Sequence, residues 1–270
     1  MTRAPNTMKT HSMKTHSRSF YFAGLMLPSG TLGYVNRLYA YCREMDDAVD
    51  ELNQPEIVTH ELAQLEAGNS EIQEVIDAYS IPPEAIKAFL SALVADTPPV
   101  RIQTRAELLQ FCYGVAGAVG VMMCHILGVR QREALYHAID LGIAMQLTNI
   151  ARDRAEDAAT NRHYFPEGLT QAALVQMAEP YYKSGMAGVV YLPLRVRPAI
   201  ASAALIYREI GQKILRHPET APHSRMVVGR GKKLWLSVKA LGRLARLRRN
   251  PQHDPTLHDA ISAYPCAHVR

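Results

Sequence analysis

Residues 46–51, DDAVDE, place four carboxylates within six positions, Asp46, Asp47, Asp50 and Glu51, with Arg43 just upstream. On a helix, residues four apart are neighbours, about 5–6 Å between Cβ atoms. Asp46 and Asp50 then project from one face, and Arg43 lies on the same side one turn earlier. Asp47 and Glu51 begin a neighbouring face, as supporting or solvated groups. A second constellation lies at 146–157, QLTNIARDRAED, where Gln146, Asn149, Asp153 and Asp157 follow at intervals of three, four and four. An amide pair and a carboxylate pair share that stripe.

Carboxylates at helical spacing ordinarily form a solvated face. Two features argue otherwise here: the neighbouring segments LGYVNRLYAY and AIDLGIAM are too apolar for surface helices, and few lysines accompany the acids. On an exposed helix, like charges cost only a few tenths of a kcal/mol. In a partly buried cleft, at an effective dielectric near 20 and ~6 Å separation, the same pair costs about 3 kcal/mol. A cation should offset that cost. Oxygen-only ligands from Asp and Asn suit Mg2+, a hard ion that completes its octahedron with water and phosphate oxygens. Two facing stripes of this kind could hold Mg2+ ions that bridge a diphosphate, neutralise it as a leaving group and promote heterolysis of its C–O bond.

The elements that must position these residues are helices. Apolar periodicity predicts them at 30–51, 55–66, 70–79, 83–95, 104–126, 131–157, 170–183, 186–192, 197–216 and 231–247. Breakers such as Pro55, IPPE at 81–84, DTPP at 96–99, Gly128 and NRHYFPEG at 161–168 separate them. No period-two strand appears, so the predicted fold class is all-α. The 270 residues, 48% hydrophobic, suffice for one large domain, expected over 16–250, with a flexible tail at 1–15 and a C-terminal tail at 251–270. No apolar run reaches the roughly 18 residues of a membrane span, so an integral membrane protein is not expected. Four cysteines without CxxC spacing suggest neither zinc nor disulfides, and a cytoplasmic location is the default. The polar N-terminus holds a tandem MKTHS at 8–12 and 13–17, read as a duplicated flexible tail, with a transit peptide as the alternative.

The two motifs, in this order and separation, resemble those of the squalene and phytoene synthases of the isoprenoid synthase fold, a single-domain helical bundle around a central cavity. HSRSF at 16–20 looks like that family's N-terminal diphosphate-binding segment. YAYCREMDDAVD (39–50) is similar to its first Asp-rich motif, and QLTNIARDRAED with NRHYFP (161–166) to its second motif and the loop after it. YYKSGMAGVVYLPLRVRPAI and IYREIG resemble its C-terminal helices. The resemblance implies that Asp46 and Asp50 bind Mg2+ (Mn2+ as the alternative ion) from one side, and Asn149, Asp153 and Asp157 from the other. It implies that His16, Ser17, Arg18, Ser19, Arg43 and Arg152 hold diphosphate oxygens, while Gln146, Tyr39 and Tyr207 line the site near the reacting carbons. The implied reaction is head-to-head condensation of two prenyl diphosphates through a cyclopropylcarbinyl diphosphate. Geranylgeranyl diphosphate to phytoene leads; dehydrosqualene or squalene from farnesyl diphosphate is the alternative, and a non-catalytic scaffold is a reading of another class. NADPH is not expected.

Three further features carry expectations. Gly114, Gly117 and Gly120 recur every third residue in FCYGVAGAVGVMMC, either for close helix packing or to leave room for prenyl tails. Arg154 stands where the family pattern has a small or apolar residue; at ~100° per residue it points away from Asp153. The segment after Asp50 is shorter than the family's usual one. Finally, 231–250 carries seven cations and no acid around a stripe of Leu234, Val238, Leu241 and Ala245, with Trp235 beside it. A peripheral contact with an anionic membrane, on the inner membrane surface, and a packed terminal helix with a solvated basic side both fit; nucleic acid is not expected.

Overall fold

The computed structural model describes residues 29–218, 226–247 and 250–267. Ten α-helices run in chain order among them: α1 Ser29–Asp50, α2 Pro55–Glu66, α3 Gln73–Tyr79, α4 Pro83–Ala95, α5 Arg105–Cys112, α6 Ala118–Ile126, α7 Arg132–Ala159, α8 Gln171–Gly188, α9 Arg197–Arg216 and α10 Arg230–Leu244. The fold is all-α, as the periodicity requires. Their starts follow local chemistry. Proline occupies the first helical turn of α2, α4 and α9, where its missing N–H costs nothing. Thr104 caps α5 by accepting the Glu107 N–H at 3.1 Å, while the Glu107 carboxylate accepts the Gln103 N–H at 2.8 Å. Gly128, at φ +76°, takes the left-handed turn after α6.

The long helix α7 is the axis of the bundle. It buries residues on nearly every side, including Ile139, Ile143, Ala144, Leu147 and Ala151, each at 0% exposure, and it packs against α6, α8 and α9. Glycines set how close the neighbours come. A Cβ on Gly120 would lie 2.4 Å from the Ala138 carbonyl, one on Gly114 2.4 Å from Ala92 Cβ, and one on Gly117 3.3 Å from Ile139. The glycine series therefore serves packing of α4 and α7, and the space beside it is filled rather than left for prenyl tails. Gly185 and Gly188 act the same way on Leu141 and His137. For that reason α8 continues through 184–188, where the sequence suggested a break.

Four other expectations change. Helix α3 starts at Gln73 rather than 70, because the buried Glu61 carboxylate accepts Ser70 Oγ at 2.6 Å and the Glu71 N–H at 3.1 Å and holds that segment as a turn. A two-residue parallel pairing does exist, β1 Val100–Arg101 with β2 Arg162–His163. The helix 105–126 is continuous through a π turn at Tyr113–Gly117, and it is long and apolar enough by composition to cross a membrane, yet 56% of that stretch is buried against the bundle. Residues 251–267, expected as part of a tail, fold back onto the bundle. His253 Nε2 and His258 Nε2 donate to the two oxygens of the fully buried Asp140 at 2.9 and 3.0 Å, and Tyr181 and Tyr191 donate to the Leu257 and Pro251 carbonyls. All four cysteines are free.

Candidate active site

Helix α1 leans on α2, α4 and α6, and carries Tyr39, Arg43 and Asp46 half-buried with Asp50 exposed at its end. Arg43 donates to Asp46 at 2.8 Å, pairs with the buried Asp47, and reaches Glu51 at 3.2 Å. Asp47 is thus a supporting group within the helix, and Glu51 stays exposed. On α7 the corresponding face is Gln146, Asn149, Asp153 and Asp157, each half-buried on a helix whose other sides are core. Asn149 Nδ2 donates to Gln146 Oε1 at 3.2 Å, which aims the Asn149 Oδ1 outward; that atom is buried and accepts no hydrogen bond. Arg152 Nε donates to Asp153 at 2.7 Å. Arg154 turns away and stacks over Phe165, 4.8 Å from the ring centre, so it leaves the carboxylate face undisturbed.

The α1 stripe is tied to the end of α4 by residues without an assigned role in the sequence. In the β1–β2 pairing, Val100 N–H donates to the Asn161 carbonyl and Ile102 N–H to the His163 carbonyl. Strand alternation then turns Arg162 inward and His163 outward. The buried Arg162 guanidinium lies 2.8 Å from Asp50 and 3.3 Å from Asp96, and Tyr164, the next inward residue, donates its hydroxyl to Asp96 at 2.7 Å. Arg162 thereby ties the end of α1 to the end of α4. In the sequence Asp96 stands only in the helix-breaking DTPP turn. The alternation of Arg162 and Tyr164 in RHY was the one available signal.

Electrostatics place the carboxylates in a common field. Burial pushes Asp46 up to about 7, with Asp50 adding to the shift against Arg43. Burial also raises Asp157 to about 7, reinforced by Asp153, Asp96 and Asp50. Asp96 rises to about 7 by burial despite Tyr164 and Arg162, and Asp50 is raised as well, against Arg162 and Arg43. Because Asp157 on α7 feels both Asp50 and Asp96, the carboxylate ends of the two stripes lie near each other. Tyr39 and Tyr207 meet between them: burial raises the Tyr39 phenol to about 12, and the neighbouring Tyr207 adds to it. The Arg152 guanidinium also feels Tyr207. His16, Ser17, Arg18 and Ser19 lie outside the described residues.

The donor set fits a hard divalent cation. It is all oxygen, burial and neighbouring carboxylates raise Asp46, Asp50 and Asp157, and Asn149 offers an orphaned buried carbonyl oxygen. A chemically different group, Asp140, His253 and His258, has its ligand atoms within 4.8 Å of one another. It lies thirteen residues up α7 from Asp153, roughly 20 Å at 1.5 Å per residue.

This arrangement, two Asp-bearing helix faces beside a buried arginine that ties α1 to α4, coincides with a family match. The model of the squalene/phytoene synthase family matches residues 13–173. The chain belongs to that family. It is 37% identical to the 15-cis-phytoene synthase of Enterobacter agglomerans, covering 92% of this chain and 98% of that one. Against the 15-cis-phytoene synthase of Pantoea ananas the identity is 36%, over 89% and 93%. Among solved structures, a dehydrosqualene synthase in complex with ligand superposes with a TM-score of 0.78 at 28% identity, covering 87% of this chain and 94% of that one.

Proposed function

We propose that this chain is a prenyltransferase that joins two geranylgeranyl diphosphates head to head into 15-cis-phytoene, a step of carotenoid biosynthesis. The observation that supports the reading is that the carboxylates of the two stripes lie near each other, Asp157 in the field of Asp50 and Asp96, in a chain of this family. A divalent metal is the cofactor, and Mg2+, with Mn2+ as its substitute, is the ion that all-oxygen ligands favour. Asp46 and Asp50 would hold it from α1, and Asn149, Asp153 and Asp157 from α7. When bound, it neutralises the leaving diphosphate as a Lewis acid.

The chain's own groups do the rest. Arg43 and Arg152 each sit on a carboxylate of the cleft, so a metal diphosphate supplies matched new partners: cation for the aspartates, phosphate oxygens for the guanidinium groups. His16 to Ser19 would complete that grip. The allylic C–O bond of one substrate breaks and its diphosphate leaves with the electron pair. The double bond of the second substrate attacks the cation, and loss of a proton gives a cyclopropylcarbinyl diphosphate. That ester ionises in turn, rearranges and loses a second proton. Tyr39 remains a neutral phenol throughout the working range, so it presents a ring face and a hydroxyl dipole rather than an anion to the carbocations, and Tyr207 lies beside it. Gln146 lines the same end. The apolar side of the bundle excludes water that would quench them.

A second reading is a thirty-carbon product from farnesyl diphosphate, favoured by the 0.78 superposition on a dehydrosqualene synthase. As a peripheral partner we propose an anionic membrane surface, met by α10 from the cytoplasmic side, since Leu234, Trp235, Val238 and Leu241 are all more than half exposed on that basic helix. Incubating the protein with Mg2+ and either geranylgeranyl or farnesyl diphosphate, with and without NADPH, tests the reaction. Phytoene from the first, independent of NADPH, is the expected product. A farnesyl-only turnover would assign the second reading, and no product from either would overturn both.

A further inference from the structure

The C-terminal segment closes on α7 at a point remote from the acidic cleft. Asp140 on α7 is fully buried, and three groups converge on its carboxylate: His253 Nε2 at 2.9 Å, His258 Nε2 at 3.0 Å and the Ser184 hydroxyl from α8. Both imidazoles are buried too, with ring centres 4.3 Å apart. No lysine or arginine pairs with Asp140 among the described residues. A second carboxylate, Glu133, stands beside the cluster and accepts the His253 N–H at 3.1 Å.

His258 carries the decisive geometry. Its Nε2 meets the Asp140 carboxylate, its Nδ1 meets the Ala267 carbonyl at 3.1 Å, and both partners only accept. A neutral imidazole has one N–H. One of the two contacts therefore sets a nitrogen lone pair against an oxygen, unless the ring is charged or a cation lies on Nε2. An Nδ1–H held by a backbone carbonyl is the usual setting of a metal-bound imidazole, because it fixes the tautomer and turns the Nε2 lone pair to the metal. His253 is disposed alike: its Nδ1 is buried without a hydrogen-bond partner, and Nε2 makes the polar contact of that ring.

The donor set differs in kind from that of the cleft. One carboxylate with two imidazoles suits Zn2+, whereas Mg2+ prefers oxygen ligands throughout. The three ligand atoms lie within 4.8 Å of one another. Ligands at about 2.0–2.2 Å from a tetrahedral ion stand about 3.4 Å apart, so the 2.9 and 3.0 Å contacts need to open by only about 0.4 Å. Ser184, which donates to Asp140 and meets His137 Nδ1 at 2.7 Å, supplies the outer hydrogen bond that orients the carboxylate.

We propose that Asp140, His253 and His258 form a Zn2+ site, separate from the metal position of the acidic cleft, that clips residues 251–267 to α7. Three protein ligands leave the fourth position of the tetrahedron to water. The ion joins side chains more than a hundred positions apart, so its binding energy becomes folding energy for the C-terminal segment. The site is independent of the prenyl reaction.

Co2+ in place of Zn2+ gives such a site a visible absorption band characteristic of tetrahedral coordination. The full chain, stripped with a chelator and held in excess Mg2+ to occupy the cleft, should bind one Co2+ with that band. One equivalent of Zn2+ should then abolish the band, and Zn2+ alone should raise Tm. His253→Gln keeps a donor toward Asp140 but no imidazole. It should retain the helical circular dichroism spectrum and lose at least about a hundredfold in Co2+ affinity, since even outer hydrogen bonds of a metal site are worth about 10–100-fold. Asp140→Asn should lose the band likewise, whereas Asp153→Asn, altered in the cleft, should keep it. Absence of the band and of any Zn2+ effect on Tm in the unmodified chain would overturn the proposal and leave His258 as an imidazolium on Asp140. Equal Co2+ affinity in His253→Gln, or loss of the band in Asp153→Asn, would overturn it as well.

Discussion

Asp96 offers the sharpest test of the electrostatics at the site. It is 7% exposed, accepts the Tyr164 hydroxyl and contacts Arg162, yet burial still raises it from 3.8 to about 7. An acid whose pKa is higher folded than unfolded stabilises the fold in its protonated form. That contribution is complete below the unfolded value and is lost as pH rises from about 4 to about 7. Between pH 5 and pH 8 the unfolded chain is already ionised, while the folded group titrates over about two units, so the loss is about 2.7 kcal/mol at 1.36 kcal/mol per unit. Asp96→Asn keeps the shape and an acceptor for Tyr164 but cannot titrate. Measured by urea unfolding without divalent metal, the stability change from pH 5 to pH 8 should differ between unmodified protein and variant by that amount, or roughly 5–10 °C in Tm. Every other titrating group cancels in this comparison unless it couples to Asp96. Parallel pH curves for the two proteins would refute the buried-carboxylate reasoning.

Other perturbations separate metal binding from scaffolding. Asp46→Asn and Asp153→Asn should each lower kcat by at least about a thousandfold, roughly 4 kcal/mol of transition-state stabilisation, with an unchanged helical circular dichroism spectrum; normal turnover in either would sink the metal assignment. Arg162→Met strips the cation from Asp50 and Asp96, and denaturation at pH 8 should show a loss of about 3 kcal/mol, smaller at pH 5.5 where the carboxylates can take up protons. Added Mg2+ should raise Tm more at pH 8 than at pH 5.5, because Asp46 and Asp157 must lose protons near 7 before they can ligate; equal shifts would contradict their raised values. His258→Ala removes one of the donors to Asp140 and the tie to Ala267, and should cost about 3 kcal/mol in unfolding experiments.

Most of the helical frame was legible because apolar spacing and proline punctuation are local signals. Helices 55–66, 83–95 and 197–216 match their predicted limits. What failed was whatever depends on a distant partner. Gly185 looks like a breaker until Leu141 is placed against it. The His253–His258 region looks like a tail until Asp140, over a hundred residues earlier, accepts both imidazoles. The strand pair joins Val100 to Arg162, and two residues carry no periodicity to detect.

The same division runs through the site. Asp46, Asp50, Asn149, Asp153 and Asp157 announce themselves because helical spacing converts sequence intervals into shared faces. Asp96, Arg162 and Tyr164 do not, since their common position is created by a bridge between two loops sixty residues apart. Yet these three decide how far apart the stripes stand. Arg162 is the one buried cation in contact with both Asp50 on α1 and Asp96 beside α4, and β2 that carries it is the direct continuation of α7. A shift at Arg162 therefore moves Asp50 relative to Asp157. On the proposed reading the Asp-rich motifs would supply the ligands, and the short strand pair between 100 and 163 would set the span across which they share a metal diphosphate.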